Sequence, residues 1–434
     1  PQFQELMMKV PKMGMLQLSN ENSEYNALIA YSKNAYMSPG SYFLEDCYYL
    51  KKSQYTKNSM NCAYLDRCEL MMYSINCNGC YNCICLINCR NCVDCTYMEN
   101  CSSCQNCFMC SGIANKKFCF KNKQYTPEDY EEILEQYRSK DMRALRKEFK
   151  EFSITVPKKF QNQMNCEASR GDYLQNCKNA EECYDCFAIE DSKYIVESAE
   201  VKDSMDLTCH DKNIELCYDS CSGGESNYNL KFSFCTVASP NSTYMYACFG
   251  MIDCFGCDSS HLKLKNCILN KQYSESEYLE LRGKIIEHMK GTGEWGEFFP
   301  ISMSLYPYSH STAQDFFPLP VEKKDPANYR EATFKLPNFI SEVPDTIVKE
   351  ILACEACGKN YQVIQAELQL ARKLRGPLSK FCADCRQMEL MSLKNQRRLF
   401  DRSCAKCSTS IQTTYAPERP EMVYCEKCYL EIVY

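Results

Sequence analysis

Cysteines in this chain keep step with one another. Cys77, Cys80, Cys83, Cys89, Cys92, Cys95, Cys101, Cys104, Cys107, Cys110 and Cys119 all lie at multiples of three from Cys47, and between Cys47 and Cys119 only Cys85 breaks the phase. Other places in that phase hold Leu50, Leu65, Met71, Leu86, Met98 and Ile113, or small Ser and Thr, whereas the places between carry Asn, Asp, Arg, Glu and Gln. A strict period of three fits neither a helix nor a flat strand. It fits a tight solenoid in which every third side chain points inward and stacks on its counterpart one coil away. Twelve residues per coil gives the columns Leu65, Cys77, Cys89, Cys101, Ile113 and Leu44, Thr56, Cys68, Cys80, Cys92, Cys104, although other lengths divisible by three fit the same phase.

This spacing resembles the 12-residue β-solenoid of insect antifreeze proteins, without the exposed Thr-x-Thr ladder of that family, so the resemblance extends to geometry and not to function. A second, looser region runs through Cys177, Ala180, Cys183, Cys186, Ile189, Ser192, Ile195, Ser198, Val201 and Leu207, then in another phase through Ser242, Met245, Cys248, Met251, Cys254 and Cys257. The two regions end alike, at Cys119-Phe-Lys-Asn-Lys-Gln-Tyr125 and Cys267-Ile-Leu-Asn-Lys-Gln-Tyr273, which marks an internal duplication. A helix is expected after each: Thr126 as N-cap with Pro127 in the first turn, and Ser274 with Glu277 as a capping box. Each helix is expected to cover the open end of its solenoid, and Gly291 to end the second helix.

The organisation read from these signals is mainly β: a Cys-rich β-solenoid over 1–125, a helical segment over 126–160, a second solenoid over 161–273, and a helix with a Trp295 segment over 274–299. An extended connector follows over 300–350, holding Pro300, Pro307, Pro318, Pro320, Pro326, Pro337 and Pro344, then two small zinc ribbons over 351–403 and 404–434. Trp295, Phe298 and Phe299 are expected to anchor the connector on the second solenoid.

The ribbons carry the strongest chemical signal. Cys354 and Cys357 are followed by Cys382 and Cys385, and Cys404 and Cys407 by Cys425 and Cys428, each pair in C-x-x-C spacing. A tetrahedral Zn²⁺ ion takes four thiolates, and each C-x-x-C turn delivers two from one loop. Two structural Zn²⁺ sites are therefore expected, each with four protein ligands and no open position for catalysis. Modules of this size lack a sufficient core, so metal supplies their folding energy.

The stretch Cys354-Glu-Ala-Cys-Gly-Lys-Asn-Tyr361, with Gly376-Pro-Leu ahead of Cys382-Ala-Asp-Cys-Arg386, resembles the probable zinc-ribbon family of bacterial proteins. With Asn270-Lys-Gln-Tyr273, Gly293-Glu-Trp-Gly-Glu-Phe-Phe-Pro300 and the second clip, the whole is similar to uncharacterised Cys-rich zinc-ribbon proteins of Candidate Phyla Radiation (Patescibacteria) bacteria. The resemblance implies a cytosolic zinc protein and transfers no active-site residue.

Composition narrows the function. The chain has 35 Cys in 434 residues, too long for a small secreted disulfide scaffold, and the odd count with many C-x-x-C pairs points to a reducing, cytoplasmic compartment. No run of 18 apolar residues and no signal peptide is visible, so no membrane association is expected. The solenoid thiols read as core packing, with bound metal or disulfides as alternatives; 31 Tyr and 21 Phe argue against a metal-storage chain. Gly291-x-Gly293-x-x-Gly296 matches a dinucleotide fingerprint in letters but not in context, since it follows a helix. His210, His261, His288 and His310 form no known catalytic spacing, and no small-molecule substrate is identified.

The formal net charge is -6, unevenly spread: residues 161–300 hold 12 Lys plus Arg against 23 Asp plus Glu, and residues 351–434 hold 13 against 9. Arg386, Lys394, Arg397, Arg398 and Arg402 cluster between the two clips, and RNA phosphates, on the ribosome or elsewhere, are their expected partner. The acidic second solenoid offers a face for a protein partner. The leading expectation is a non-enzymatic zinc-binding interaction protein. The alternatives are a thiol-rich metal or redox buffer and a protein scaffold with no nucleic-acid role.

Overall fold

Among the described residues of the two repetitive regions, a left-handed φ turns the chain at nearly every third residue. In the first region Tyr25, Leu28, Tyr31, Asn34 and Met37 have φ of 57°, 55°, 52°, 52° and 46°, followed by Gly40 and Phe43 at 69° and 56°. Such residues cost roughly 1–2 kcal/mol each when not Gly, so the coil holds only where its hydrogen bonds over-determine it. Four such corners close one coil of twelve: Ile29 pairs with Ser41, Lys33 with Glu45, and Cys107 with Cys119, all in parallel register. A computed structural model describes the chain apart from residues 13–16, 63–71, 76–83, 88–95, 139, 141, 309–310, 312, 321–327, 375 and 434. Leu65, Cys68, Cys77, Cys80, Cys89 and Cys92 of the expected columns lie outside the described residues, as do Met71, Cys83, Cys95, Pro326 and His310. Leu44, Thr56, Cys101 and Cys104 are buried as the period requires.

The residue after each corner points inward, and its amide faces the interior, where no strand can reach it. A side chain from the preceding coil takes that amide: Ser32 Oγ accepts from Leu44 N at 3.1 Å, Ser38 Oγ from Leu50 N at 3.1 Å and Ser41 Oγ from Ser53 N at 3.1 Å. The same side chains donate back to the carbonyl two residues earlier, as Ser32 does to Ala30 at 2.9 Å. Cysteine does this too. Cys183 Sγ donates to Glu181 O at 3.4 Å and accepts the Ile195 amide, and Cys186 donates to Tyr184 O at 3.2 Å and accepts the Ser198 amide. Burial pushes the Cys183 thiol up to about 12, so it stays protonated and able to donate.

The second solenoid obeys the same rule with slips. Gly171 pairs with Cys183, twelve residues on, but Gln163 pairs with Leu174, eleven on, and Met205 with Tyr218 and Tyr218 with Lys231, thirteen on. Each added residue shifts the inward phase by one, which is why the sequence shows two phases there. His210 lies inward near one slip, against Gly223, where a Cβ would come within 2.1 Å of its ring.

The duplicated Asn-Lys-Gln-Tyr motif closes each solenoid. Cys119–Phe120 and Cys267–Ile268 turn back antiparallel on Lys123–Gln124 and Lys271–Gln272. The central pairs Lys121/Asn122 and Leu269/Asn270 all have positive φ, as a two-residue hairpin requires. Asn122 accepts from Ser111 N at 2.9 Å and donates to Ser111 O at 2.7 Å; Asn270 does the same to Asp258 at 2.9 and 2.7 Å. The hairpins therefore close the last coils directly, and the helices pack on the outward side of the same coils, Tyr130 against Phe118 and Tyr278 with Ile268.

The helices lie along the flanks. Two follow the first solenoid, over Pro127–Arg138 and Met142–Ile154, and Tyr130, Leu145 and Phe149 pack on Tyr97, Phe108 and Met109. The expected helical segment ends early, because Lys158–Lys159 is a strand paired with Val423–Tyr424 of the second clip. After the second solenoid the next helix (Glu275–Thr292) has the expected Ser274/Glu277 capping box and ends on Gly293, at φ 74°, rather than on Gly291. Trp295 packs on Phe232, Tyr244 and Phe255, and the Tyr244 hydroxyl donates to Glu294 O at 3.1 Å, so the connector is anchored where expected. Beyond it, Leu336, Val343 and Ile347 join a core with Tyr48, Met60 and Leu368.

The solenoids run side by side in opposite directions: Lys12 pairs with Asp258, Lys52 with Glu197, and Glu99 lies within electrostatic reach of Tyr173.

If the inward thiols work by hydrogen bonding, Cys183→Ser should leave stability within about 1 kcal/mol, because both bonds survive. Cys183→Val, although apolar, should cost about 1–3 kcal/mol by stranding the Ile195 amide. Denaturant midpoints at constant slope measure both; equal costs would refute the assignment.

Candidate metal centres

Each four-cysteine set is built by a hairpin and a helix. In the first, Leu352–Ala353 pairs with Asn360–Tyr361, and between them Gly358 N donates to Cys354 O at 2.9 Å while Cys354 N donates to Lys359 O at 3.0 Å. This knuckle needs the left-handed Gly358, at φ 80°, and it aims Cys354 and Cys357 inward. Cys382 is the N-cap of the helix Ala383–Met391 and Cys385 lies in its first turn. The second set repeats the plan: Phe400–Ser403 pairs with Ser410–Thr413, Ser408 N donates to Cys404 O at 2.9 Å, and Cys428 falls in the first turn of the helix Glu426–Val433. The second pair of ligands thus comes from a helix N-terminus, where free amides favour thiolates.

Within each set the four Sγ atoms lie within 4.8 Å of one another. Cys357 and Cys382 are 3.8 Å apart, Cys407 and Cys425 3.7 Å. Four thiolates about 2.3 Å from one tetrahedral ion stand about 3.8 Å apart along each edge, so the edge given for each set matches a metal of zinc's size, and all four sulfurs lie close enough to hold one. Burial raises Cys404, but the amides of Cys407, Cys425 and Lys406 donate to its sulfur and hold it down at about 6, ready for a cation.

The basic residues between the clips do not form a phosphate-facing cluster. Arg386 is buried, bonded to Glu367 at 2.7 Å and stacked 4.5 Å over the Tyr49 ring of the first solenoid. Lys394 reaches Asp185 of the second solenoid at 2.6 Å. Arg397 bonds Asp185 at 2.8 Å and also Glu197, with its guanidinium 3.4 Å over the Phe316 ring. Arg402 donates to Ala416 O at 3.3 Å and Glu421 O at 3.2 Å. Arg398 alone of the five is exposed, over Phe400. For Lys394 and Arg397 the physical reason is charge: the acidic second solenoid is the nearest anion, and it belongs to the same chain.

The Lys394 and Arg397 contacts meet in one buried node, where Lys52 of the first solenoid also reaches Glu197, and Lys51 pairs with Asp315 beside Phe316. Asp185 is held below the usual carboxylate range by Lys394 and Arg397 against the opposing effect of burial. Asp185, Glu197, Lys52, Glu367 and Phe316 went unnoticed in the sequence, and Arg397 and Glu197 stand 200 residues apart. The opposite net charges of the two regions were the one available signal. Of the histidines, His210 is buried and pushed down to about 4, and His261 packs on Phe249.

No family model matches the chain, and no curated protein does. Among solved structures, one named as an acetyltransferase from Desulfovibrio desulfuricans G20 aligns at 8% identity, covering 62% of this chain and 71% of that one, with a TM-score of 0.12. That score is too low to establish a shared fold or activity. Among the described residues, no helix is long and apolar enough to cross a membrane.

Removing Asp185 leaves Lys394 and Arg397 buried and short of an anion, so Asp185→Asn should destabilise the chain by about 3–5 kcal/mol. An exposed control, Asp203→Asn, should change it by less than about 0.5 kcal/mol. Equal midpoints in urea would show that the node is not a structural junction.

Proposed function

We propose that this chain is a non-enzymatic zinc-binding scaffold of a reducing, cytoplasmic compartment, whose two metal clips fasten a pair of solenoids into one platform for a protein partner. The observation that carries the reading is the gathering of both four-cysteine sets, whose sulfurs lie within 4.8 Å of one another, with one edge of each at 3.8 and 3.7 Å. Four protein ligands leave no place for a reacting water, which supports a structural role for both ions. All-thiolate tetrahedral donors suit zinc, with iron as the chemical competitor. Membership in the Cys-rich zinc-ribbon proteins that the sequence resembles is part of the same proposal.

A protein partner fits the surface better than RNA does, because four of the five residues expected to meet phosphate are engaged within the chain. Exposed instead is a ladder of rings, Tyr31, Phe43 and Tyr55, stacked at 5.1 and 4.8 Å on the first solenoid. The buffer reading is weakened by the inward thiols, whose protons and lone pairs are already committed to backbone groups.

Native mass spectrometry under reducing conditions should find two zinc ions per chain. Six or more would make the solenoid thiols metal ligands and the buffer reading primary, and iron in place of zinc would overturn the cofactor assignment. RNA that co-purifies and is lost at high salt would overturn the preference for a protein partner.

A further inference from the structure

The two clips differ in what surrounds them. In the first, all four cysteines are buried, at 3%, 6%, 2% and 5% exposure for Cys354, Cys357, Cys382 and Cys385, under Ala356, Tyr361, Phe381 and Met388. In the second, Cys404 and Cys428 are buried, but Cys407 is exposed and Cys425 half-buried. The exposed sulfur sits in a polar setting: Cys407 Sγ lies 3.3 Å from Thr409 Oγ1, and the neighbouring Lys406 pairs with Glu431 at 2.6 Å. The Cys425 sulfur lies 3.7 Å from it.

We infer that Cys407 and Cys425 form a hydroperoxide-sensitive modification site, whose oxidation to a disulfide releases the metal of the second clip while the first clip keeps its own. The inference rests on the zinc reading of both clips. A thiolate, free or metal-bound, is the nucleophile toward peroxide, and among chemically alike thiolates access decides which one reacts. Cys407 attacks one peroxide oxygen; an S–O bond forms, the O–O bond breaks, and hydroxide leaves, giving a sulfenic acid. Cys425 then attacks that sulfur, the S–O bond breaks, and the oxygen departs as hydroxide. Two thiolates have lost two electrons in total, one peroxide has gained them, and two protons from solvent turn both hydroxides into water. The disulfide sulfurs are poor ligands, and the two remaining thiolates, Cys404 and Cys428, cannot hold the ion as four did.

The consequence reaches beyond the clip. Val423–Tyr424 pairs with Lys158–Lys159 in the segment that joins the two solenoids, Lys159 bonds Glu426 at 2.8 Å, and Phe160 packs with Ile411, Tyr415, Val423 and the clip cysteines. Lys158 in turn bonds Glu99 of the first solenoid at 2.6 Å. Opening the second clip therefore loosens the junction between the solenoids, while the first clip still holds its own contacts through Arg386.

The test uses the full chain, loaded with zinc, freed of reductant and treated with hydrogen peroxide in small molar excess. Native mass spectrometry follows the ions, a colorimetric zinc chelator follows release, and peptide mapping after alkylation locates the disulfide. One ion should be lost, with Cys407 joined to Cys425, the Cys354, Cys357, Cys382 and Cys385 thiols intact, and protease cleavage newly appearing between residues 155 and 162. Adding a thiol reductant and zinc should restore the second ion. Simultaneous loss of both ions, earlier loss from the first clip, or a disulfide lacking Cys407 would overturn the inference and leave the zinc reading standing. A chain that takes up no zinc before peroxide is added would overturn the zinc reading itself, and this inference with it.

Discussion

The fold depends on a hydrogen bond that the backbone cannot make for itself. A coil with a left-handed corner every third residue turns one amide in three toward the interior, away from the neighbouring coil's carbonyls. Left unpaired, each such buried group would cost about 1–3 kcal/mol, on top of the strain of the corner. Small side chains with a donor and an acceptor remove the deficit: Ser, Thr, Asn and Cys fit the narrow interior and bridge one coil to the next. Cysteine adds apolar volume to the same two bonds, which accounts for its abundance without appeal to metal or disulfides. Where Leu or Ile occupies a column, packing takes over, as in the buried set of Leu174, Ile189, Ile195, Val201 and Leu207.

Above this level, charge and the two four-cysteine sets arrange the modules. Each set is held to the solenoids by contacts of its own. The first clip places Arg386 between Glu367 and Tyr49. The second supplies Thr414, which reaches the buried Asp172, and the strand that pairs with Lys158–Lys159. The peptide between the clips inserts Lys394 and Arg397 against Asp185 and Glu197. Breaking such buried pairs is costly even though forming them gains little, so they act more to specify one arrangement than to add stability.

Much of this was legible in the sequence, and the parts that were not share a cause. The period of three, the coil of twelve, both clips and the Ser274 cap depend on residues near in sequence or repeated at a fixed interval, and all are found among the described residues. Coil slips near His210 and after Ser220 escaped because one added residue changes the phase of everything after it. The Asn122 and Asn270 hairpins were visible as a repeated motif but not as end caps, since their bonds run to Ser111 and Asp258 a coil away. The basic cluster misled for the opposite reason: five cations in one stretch read as a surface until Asp185 and Glu197, some 200 residues earlier, are folded against Lys394 and Arg397 and the nearer Glu367 against Arg386.

A chain stiffened by protonated, hydrogen-bonded thiols that also carries two four-cysteine sets able to hold metal divides its cysteines into two chemical classes. The most direct measurement of that division is the S–H stretching band in the Raman spectrum of the reduced, zinc-loaded chain. Thiols that donate to carbonyls should give a band shifted to lower frequency than a free thiol in water, with no S–S band, and unfolding in denaturant should move it back. A band already at the free-thiol position in the folded chain, or its absence, would contradict the claim that inward cysteines hold the coils together by hydrogen bonds.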